Sequence, residues 1–213
     1  MNTENSKELN DAFKSADLND KVWMFFAKYA RALTSVAILA LVVIAIVVIT
    51  VIGKGICQRS MKAAYLEAIR TGNKKDFAQK YISKPLGGIV FLELADEAYR
   101  EKEYQRAAGY YHRAAVSLGG NIFKGRAAIG EGVALIKSGS QREGETVLGK
   151  TSEEKSYPAL IRANAMYLLA ASIYDRKDLG RAKSILNQLL SGNFPDQWKD
   201  EARTLLQEIE IAQ

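Results

Sequence analysis

Residues 94–114, LADEAYREKEYQRAAGYYHRA, decide the fold. Leu94, Ala95, Ala98 and Tyr99 recur at three and four residues, the period of one helix face. After the polar triplet Glu101-Lys102-Glu103 the same period returns with Tyr104, Ala107, Tyr111 and Ala114. Two such helices joined by three polar residues form an antiparallel pair. Ala95 on one helix and Ala107 on the other permit close approach, and Tyr111 is the bulk that fills the space toward a following pair.

The pattern comes back twice. Gly132, Leu135 and Ile136, the triplet Ser138-Gly139-Ser140, then Gly144 and Leu148 form the second copy. Leu169, Ala170, Ile173 and Tyr174, the triplet Arg176-Lys177-Asp178, then Leu179, Ala182, Leu186 and Leu189 form the third. Aligned on Ala107, Gly144 and Ala182, the copies are 37 and 38 residues apart. These residues match the tetratricopeptide signature, a helix-pair repeat with a period of about 34. The second copy departs from it, with Glu131 where a leucine is usual. The resemblance implies an all-α, tetratricopeptide-like helical solenoid over residues 86–195. Two short helices, 61–71 and 76–81, precede it around Gly72-Asn73. A capping helix over 196–213 follows Pro195, with Trp198, Ala202, Leu205, Leu206 and Ile209 on one face.

A second decision lies upstream. Residues 32–53 carry no charge, and 18 of these 22 are Ala, Val, Ile or Leu. The run is too long for a buried strand, and at about 1.5 Å per residue it spans roughly 33 Å as a helix, enough to cross a bilayer. Backbone satisfaction in lipid demands the helix despite the β-branched residues. Trp23, Phe25, Phe26 and Tyr29, with Lys28 and Arg31, form an interfacial segment at the end of an N-terminal tail, 1–31. The acidic leader, the length of the run and the lack of a small-x-small site after it oppose a cleaved signal peptide. Without the run about 44% of the chain is apolar, an ordinary soluble composition.

Charge follows the same division. The net charge of +6 comes entirely from residues 54–85, where Lys54, Arg59, Lys62, Arg70, Lys74, Lys75, Lys80 and Lys84 face only Glu67 and Asp76. Residues 86–213 carry 17 charges of each sign, so the repeats lack the basic stripe of a nucleic-acid binder. Three bases stand within 15 residues of each end of the apolar run, a tie. The wider cluster favours a cytoplasmic C-terminal side, although long domains translocate largely regardless of charge. Bases near anionic head groups each contribute on the order of 1 kcal/mol, so the cluster is also a basic membrane-proximal patch for lipid. One cysteine, Cys57, and one histidine, His112, give neither a disulfide nor a Cys/His metal site.

A tail, one membrane helix and a small repeat domain with these spacings resemble the ancillary subunit of the bacterial Sec translocon. The similarity starts at Phe25-Phe26-Ala27-Lys28, continues through Phe77-Ala78 and Phe91-Leu92-Glu93-Leu94-Ala95, and follows the helix pairs to Leu190. It implies an inner-membrane, single-pass protein with its N-terminus in the cytoplasm and its repeats in the periplasm. Its partners there would be translocon subunits, nascent secretory chains and periplasmic chaperones.

Solenoids bind along the face made by the first helix of each pair. Helical spacing puts Leu92, Asp96 and Tyr99 on that face, then Ile129, Val133 and Ile136, then Tyr167, Ala171 and Tyr174. The face is apolar and aromatic, suited to an extended or partly unfolded chain. Tetratricopeptide domains that clamp an acidic C-terminus place Lys, Arg and Asn there, where this chain has Leu92 and Asp96. Gly87-Gly88 and Gly119-Gly120 read as turns between helices, not phosphate loops. Glu153-Glu154 reads as a solvated pair and His112 as a solvated or satisfied side chain. Cys57 stands near Lys54 and Arg59 but has no identifiable partner base. The expectation is therefore a non-catalytic protein-binding module with no cofactor, metal, nucleic acid or small-molecule substrate. The alternative is a cytosol-facing receptor or scaffold of the same fold, and a hydrolase or transferase using Cys57 is the remaining class.

Overall fold

The computed structural model describes residues 18–119 and 122–211, among which there are nine α-helices and no strand. The acidic leader, Gly120 and the side chains of Phe26, Lys28 and Arg31 lie outside the described residues. By contact the chain divides into two units, Met1–Ala63 and Ala64–Gln213.

The described part of the first unit belongs to one helix, α1 (Leu18–Thr71), of 54 residues. The interfacial segment, the span and the first connector helix are thus one uninterrupted helix, not separate pieces. No proline falls between Leu18 and Lys84 to break it. Every side chain from residue 34 to 60 is exposed, including Leu39 at 64% and Ile49 at 70%. The helix is long and apolar enough to cross a membrane, and none of its apolar window is buried. Its hydroxyls are satisfied within it, Thr34 donating to the Ala30 carbonyl and Thr50 to the Val47 carbonyl, as a lipid-facing helix requires.

The second unit starts in the last turns of α1, reverses at Gly72 (φ +74°) and continues as α2 (Lys74–Lys80). Then come α3 (Pro85–Arg100), α4 (Tyr104–Ser117), α5 (Ile122–Lys137), α6 (Gln141–Glu153), α7 (Ala159–Asp175), α8 (Leu179–Ser191) and α9 (Asp196–Ile211). From α2 onward each helix packs on the next, and α3, α5, α7 and α9 also touch one another in sequence. Among the described residues α4, α6 and α8 make no such contact with each other. The odd helices are therefore the crowded inner layer of a stack of antiparallel pairs, and the even helices are the spread outer layer.

Three turns repeat almost atom for atom. Lys102, Gly139 and Lys177 all have positive φ (63°, 94° and 65°). Around each, the next N–H reaches back five residues: Glu103 to Ala98, Ser140 to Leu135, Asp178 to Ile173. The middle N–H reaches back three, to Tyr99, Ile136 and Tyr174. This is the Schellman ending of a helix, which satisfies carbonyls the helix leaves orphaned. The three prolines mark the other ends of inner helices: Pro85 opens α3, Pro158 caps α7, and Pro195 precedes α9.

Gly87 and Gly88 are not a turn. They lie in the first turns of α3, where a methyl at Gly87 would run into the Tyr81 carbonyl and one at Gly88 would stand 2.8 Å from Leu118 Cγ. The bulky residues expected between pairs are buried: Tyr111 at 7%, Leu148 and Leu186 at 0%. An apolar core runs from Ile129 through Leu148, Leu169, Ile173 and Leu186 to Ile209, joining the last two pairs to the capping helix.

Candidate protein-binding surface

The inner layer carries the nine residues that sequence placed on a partner-facing surface, and the structure divides them. Leu92 (4% exposed) and Ile129 (8%) are buried against their neighbours, which corrects their place on an open face. A helical period locates a stripe without saying which neighbour covers it. Asp96 is half-buried at the seam between the first and second pairs. It accepts a hydrogen bond from the Tyr111 hydroxyl (2.6 Å) and another from Arg126 (2.5 Å). Burial, with the Asp96 carboxylate beside it, pushes the Tyr111 phenol far above its ordinary range. Tyr99 meets the edge of the Tyr104 ring at 5.2 Å.

The remaining five, Val133, Ile136, Tyr167, Ala171 and Tyr174, are partly buried over the apolar core. They lie on α5 and α7, consecutive inner helices. Tyr167 packs against Trp198 of α9, ring centroids 5.7 Å apart, and Lys177 stands 5.6 Å over the Tyr174 ring. Burial raises the phenol pKa of Tyr167, so it stays a neutral aromatic. The surface offers partly exposed rings and aliphatic groups anchored from behind, the composition typical of binding hot spots.

The basic patch is likewise divided. Lys54, Arg59 and Lys62 project from exposed turns of α1. Arg70 pairs with Glu67 (2.6 Å), and Lys74 with Glu97 (2.7 Å), a bond that raises the Lys74 pKa. Lys75 is exposed, Lys80 lies 5.6 Å over the Tyr81 ring, and Lys84 is the N-cap of α3. Two of the eight bases thus already have carboxylate partners. Cys57 is exposed. His112 stands 2.9 Å from Glu131 across the first seam, which gives the unusual glutamate of the second copy a partner. No group of three or more His, Cys, Asp or Glu among the described residues could hold a metal ion.

Sequence reasoning missed a groove of about 800 Å³ on the outer layer, between α6 and α8. Gly149, Ser152 and Ser184 are too small to close it, and Met166 and Leu169 of α7 form its floor. Arg142, Lys150, Arg176 and Arg181 line it with Glu145 and Glu153. Glu145 is 7% exposed and holds Arg176 through two oxygens at 2.9 and 3.0 Å, while Ser172 donates to it at 3.1 Å. The partners are 31 residues apart on different pairs, so no local pattern announces them.

No protein-family model, curated protein or solved structure matches the chain.

Proposed function

We propose that this chain is a membrane-anchored, non-catalytic protein-binding module. The observation that carries the reading is the contact pattern of the stack. Inner helices touch in sequence, and Val133, Ile136, Tyr167, Ala171 and Tyr174 line two consecutive ones, partly buried over the apolar core. An extended polypeptide laid across that line meets apolar side chains already held in place, so little side-chain entropy is lost on binding. In the finer form of the proposal, the pairs are tetratricopeptide repeats and the protein works in the periplasm beside the Sec translocon. There it contacts translocon subunits, emerging secretory or membrane proteins and chaperones. The 37- and 38-residue spacing, the matching Schellman turns and the single apolar helix support that form.

Photocrosslinking amino acids at Ile136 and Tyr174 in the full chain, expressed in membranes, test the surface. Adducts with polypeptides are expected, and adducts with lipid alone refute the reading. The eight bases of residues 54–85 favour a second reading, a cytosol-facing receptor or scaffold for assembly of a membrane complex. Because Cys57 is exposed, a membrane-impermeant thiol reagent separates the two. Labelling in spheroplasts fits the periplasmic form, and labelling only after lysis fits the scaffold.

A further inference from the structure

The groove on the outer layer is built like a binding site, and the partner surface of the inner layer does not use it. Its walls are two matching helix faces. Arg142, Gly149, Lys150 and Glu153 recur along one side of α6. Arg181, Ser184, Ile185 and Gln188 recur along one side of α8. At 1.5 Å per residue the α6 wall runs about 16 Å and the α8 wall about 10 Å. A trough of that length takes about three to five residues of extended chain. Its volume of about 800 Å³ lies in the ordinary range of ligand sites. The floor is apolar, from Met166 and Leu169 of α7. Gly149 keeps it open, since a methyl there would only just touch Leu169, at 3.8 Å.

The charge of the groove is one-sided. Four bases line it against two carboxylates, Glu145 and Glu153, and Glu145 is already committed. Its two oxygens accept from Nε and Nη2 of Arg176, and it accepts from Ser172 as well. Gln141 in turn donates to the Ser172 hydroxyl (3.3 Å). This chain of bonds fixes the guanidinium plane of Arg176, yet the side chain stays 33% exposed and Nη1 keeps two N–H groups to give. An arginine held this way presents a carboxylate-binding fork with little freedom left to lose. Arg142, Lys150 and Arg181 are exposed and bind no carboxylate among the described residues. No aromatic ring lines the groove, so it offers no stacking platform for nucleic-acid bases, and its own carboxylates oppose a polyphosphate.

We infer that this groove binds an extended, acidic polypeptide segment. Asp or Glu side chains of the segment pair with Arg142, Lys150, Arg176 and Arg181, and one apolar side chain rests on Met166, Leu169 and Ile185. Ser184 and Gln188 add a hydroxyl and an amide for the peptide backbone. All of these groups belong to α6, α7, α8 and the turn after α7, and the inference does not rest on the partner surface of the inner layer.

The test selects random dodecapeptides, displayed on phage, against the full chain in a neutral detergent, and measures the selected peptides by fluorescence anisotropy. Peptides rich in Asp and Glu with an interspersed apolar residue are expected, and their binding weakens as salt rises. Arg142→Glu combined with Arg181→Glu, both at exposed positions, is expected to weaken them about tenfold or more. Gly149→Phe lays a ring over Leu169 and is expected to weaken them several-fold. Arg100→Glu, at an exposed base outside the groove, is expected to change binding by less than about twofold. Thermal melts by circular dichroism show that each variant is folded, and the surface charge reversals carry the test where Gly149→Phe is not. Selected peptides without acidic enrichment overturn the inference. Acidic peptides whose binding survives the groove variants, or falls equally with Arg100→Glu, also overturn it. So does displacement of the peptides by inorganic pyrophosphate at matched ionic strength, because the groove is then a phosphate site. Selection of only those peptides that Tyr174→Ala abolishes overturns this inference while supporting the inner-layer surface, so the two readings fail separately.

Discussion

Gly144→Ala is expected to destabilise the stack, although the same change elsewhere in its outer helices stabilises it. Where α5 and α6 cross, two glycines face each other. A methyl on Gly144 would run into the Gly132 carbonyl oxygen and stand 2.7 Å from Ile136 Cγ1 and 3.0 Å from the Ile136 nitrogen. Two of those three atoms are backbone, so no rotamer change relieves the contact. Restoring ordinary contact of about 3.5 Å requires the helices to part by roughly 1 Å. Overpacking of that kind costs about 1–3 kcal/mol, against a helix-propensity gain from replacing glycine of about 1 kcal/mol. Separation also strips contacts from Leu148, which is fully buried against Gly132. The expected balance is a loss of about 1–2 kcal/mol, or roughly 2–8 °C in Tm for a domain of this size. Gly109, in α4, has nothing within 4 Å of its missing Cβ. There the propensity gain stands alone, and Gly109→Ala is expected to raise the Tm by a few degrees. Thermal and urea unfolding of the full chain in detergent, followed by far-ultraviolet circular dichroism, measures both. If Gly144→Ala raises the midpoint as Gly109→Ala does, the close crossing of α5 and α6 is wrong, and with it the packing of the second pair.

Glu145→Ala is expected to cost about 2 kcal/mol, less than for a fully buried ion pair because Arg176 keeps part of its exposure. A double-mutant cycle with Arg176→Ala in urea melts checks that the loss is shared. Lys102→Gly relieves a left-handed backbone at a non-glycine residue and is expected to add up to about 1 kcal/mol, read as a rise in Tm. Tyr111→Phe removes the hydrogen bond to Asp96 at a cost of about 1.5 kcal/mol near neutral pH. Its pH dependence has a definite sign. The folded state holds the Tyr111 phenol protonated well above the ordinary value of 10.0, so its contribution is complete below pH 10 and is lost as pH rises beyond it. Alkaline melts are expected to show a shallower loss of stability for Tyr111→Phe than for the unaltered chain.

The parts legible in the sequence are those that local chemistry decides. Helix pairs followed from the spacing of Ala95, Ala107 and Tyr111 and of their counterparts, and the three polar triplets became the three Schellman turns. The continuity of α1 was less legible, because Gly53, Gly55 and the β-branched run suggest breaks that only a proline would enforce. Gly87-Gly88 was misread for a related reason. Glycine in a helix looks like a turn until the Tyr81 carbonyl and Leu118 that require its small size are in view. Leu92 and Ile129 shared a face with residues that stay open, and only the neighbouring pair decides which are covered. The outer groove escaped entirely, since it is made by what Gly149, Ser152 and Ser184 do not fill.

Glu131, the residue that departs from the repeat pattern, sits with Asp96 and Tyr111 at the seam between the first and second pairs. Tyr111 lies across Gly130, where a methyl would stand 2.6 Å from its ring, and its hydroxyl holds Asp96. Asp96 holds Arg126 on α5, and His112 holds Glu131 beside them. The following seam is closed by Leu148, Leu169 and the core that continues to Ile209, with the buried Glu145 bonded across it to Arg176 and Ser172. In a stack whose stability is close to a sum over neighbours, both joints therefore combine apolar area with directional bonds, the first through partly exposed groups and the second through a buried carboxylate. A polypeptide lying along the inner layer from α3 to α7 would bridge these joints, so its binding energy would be coupled to the same bonds.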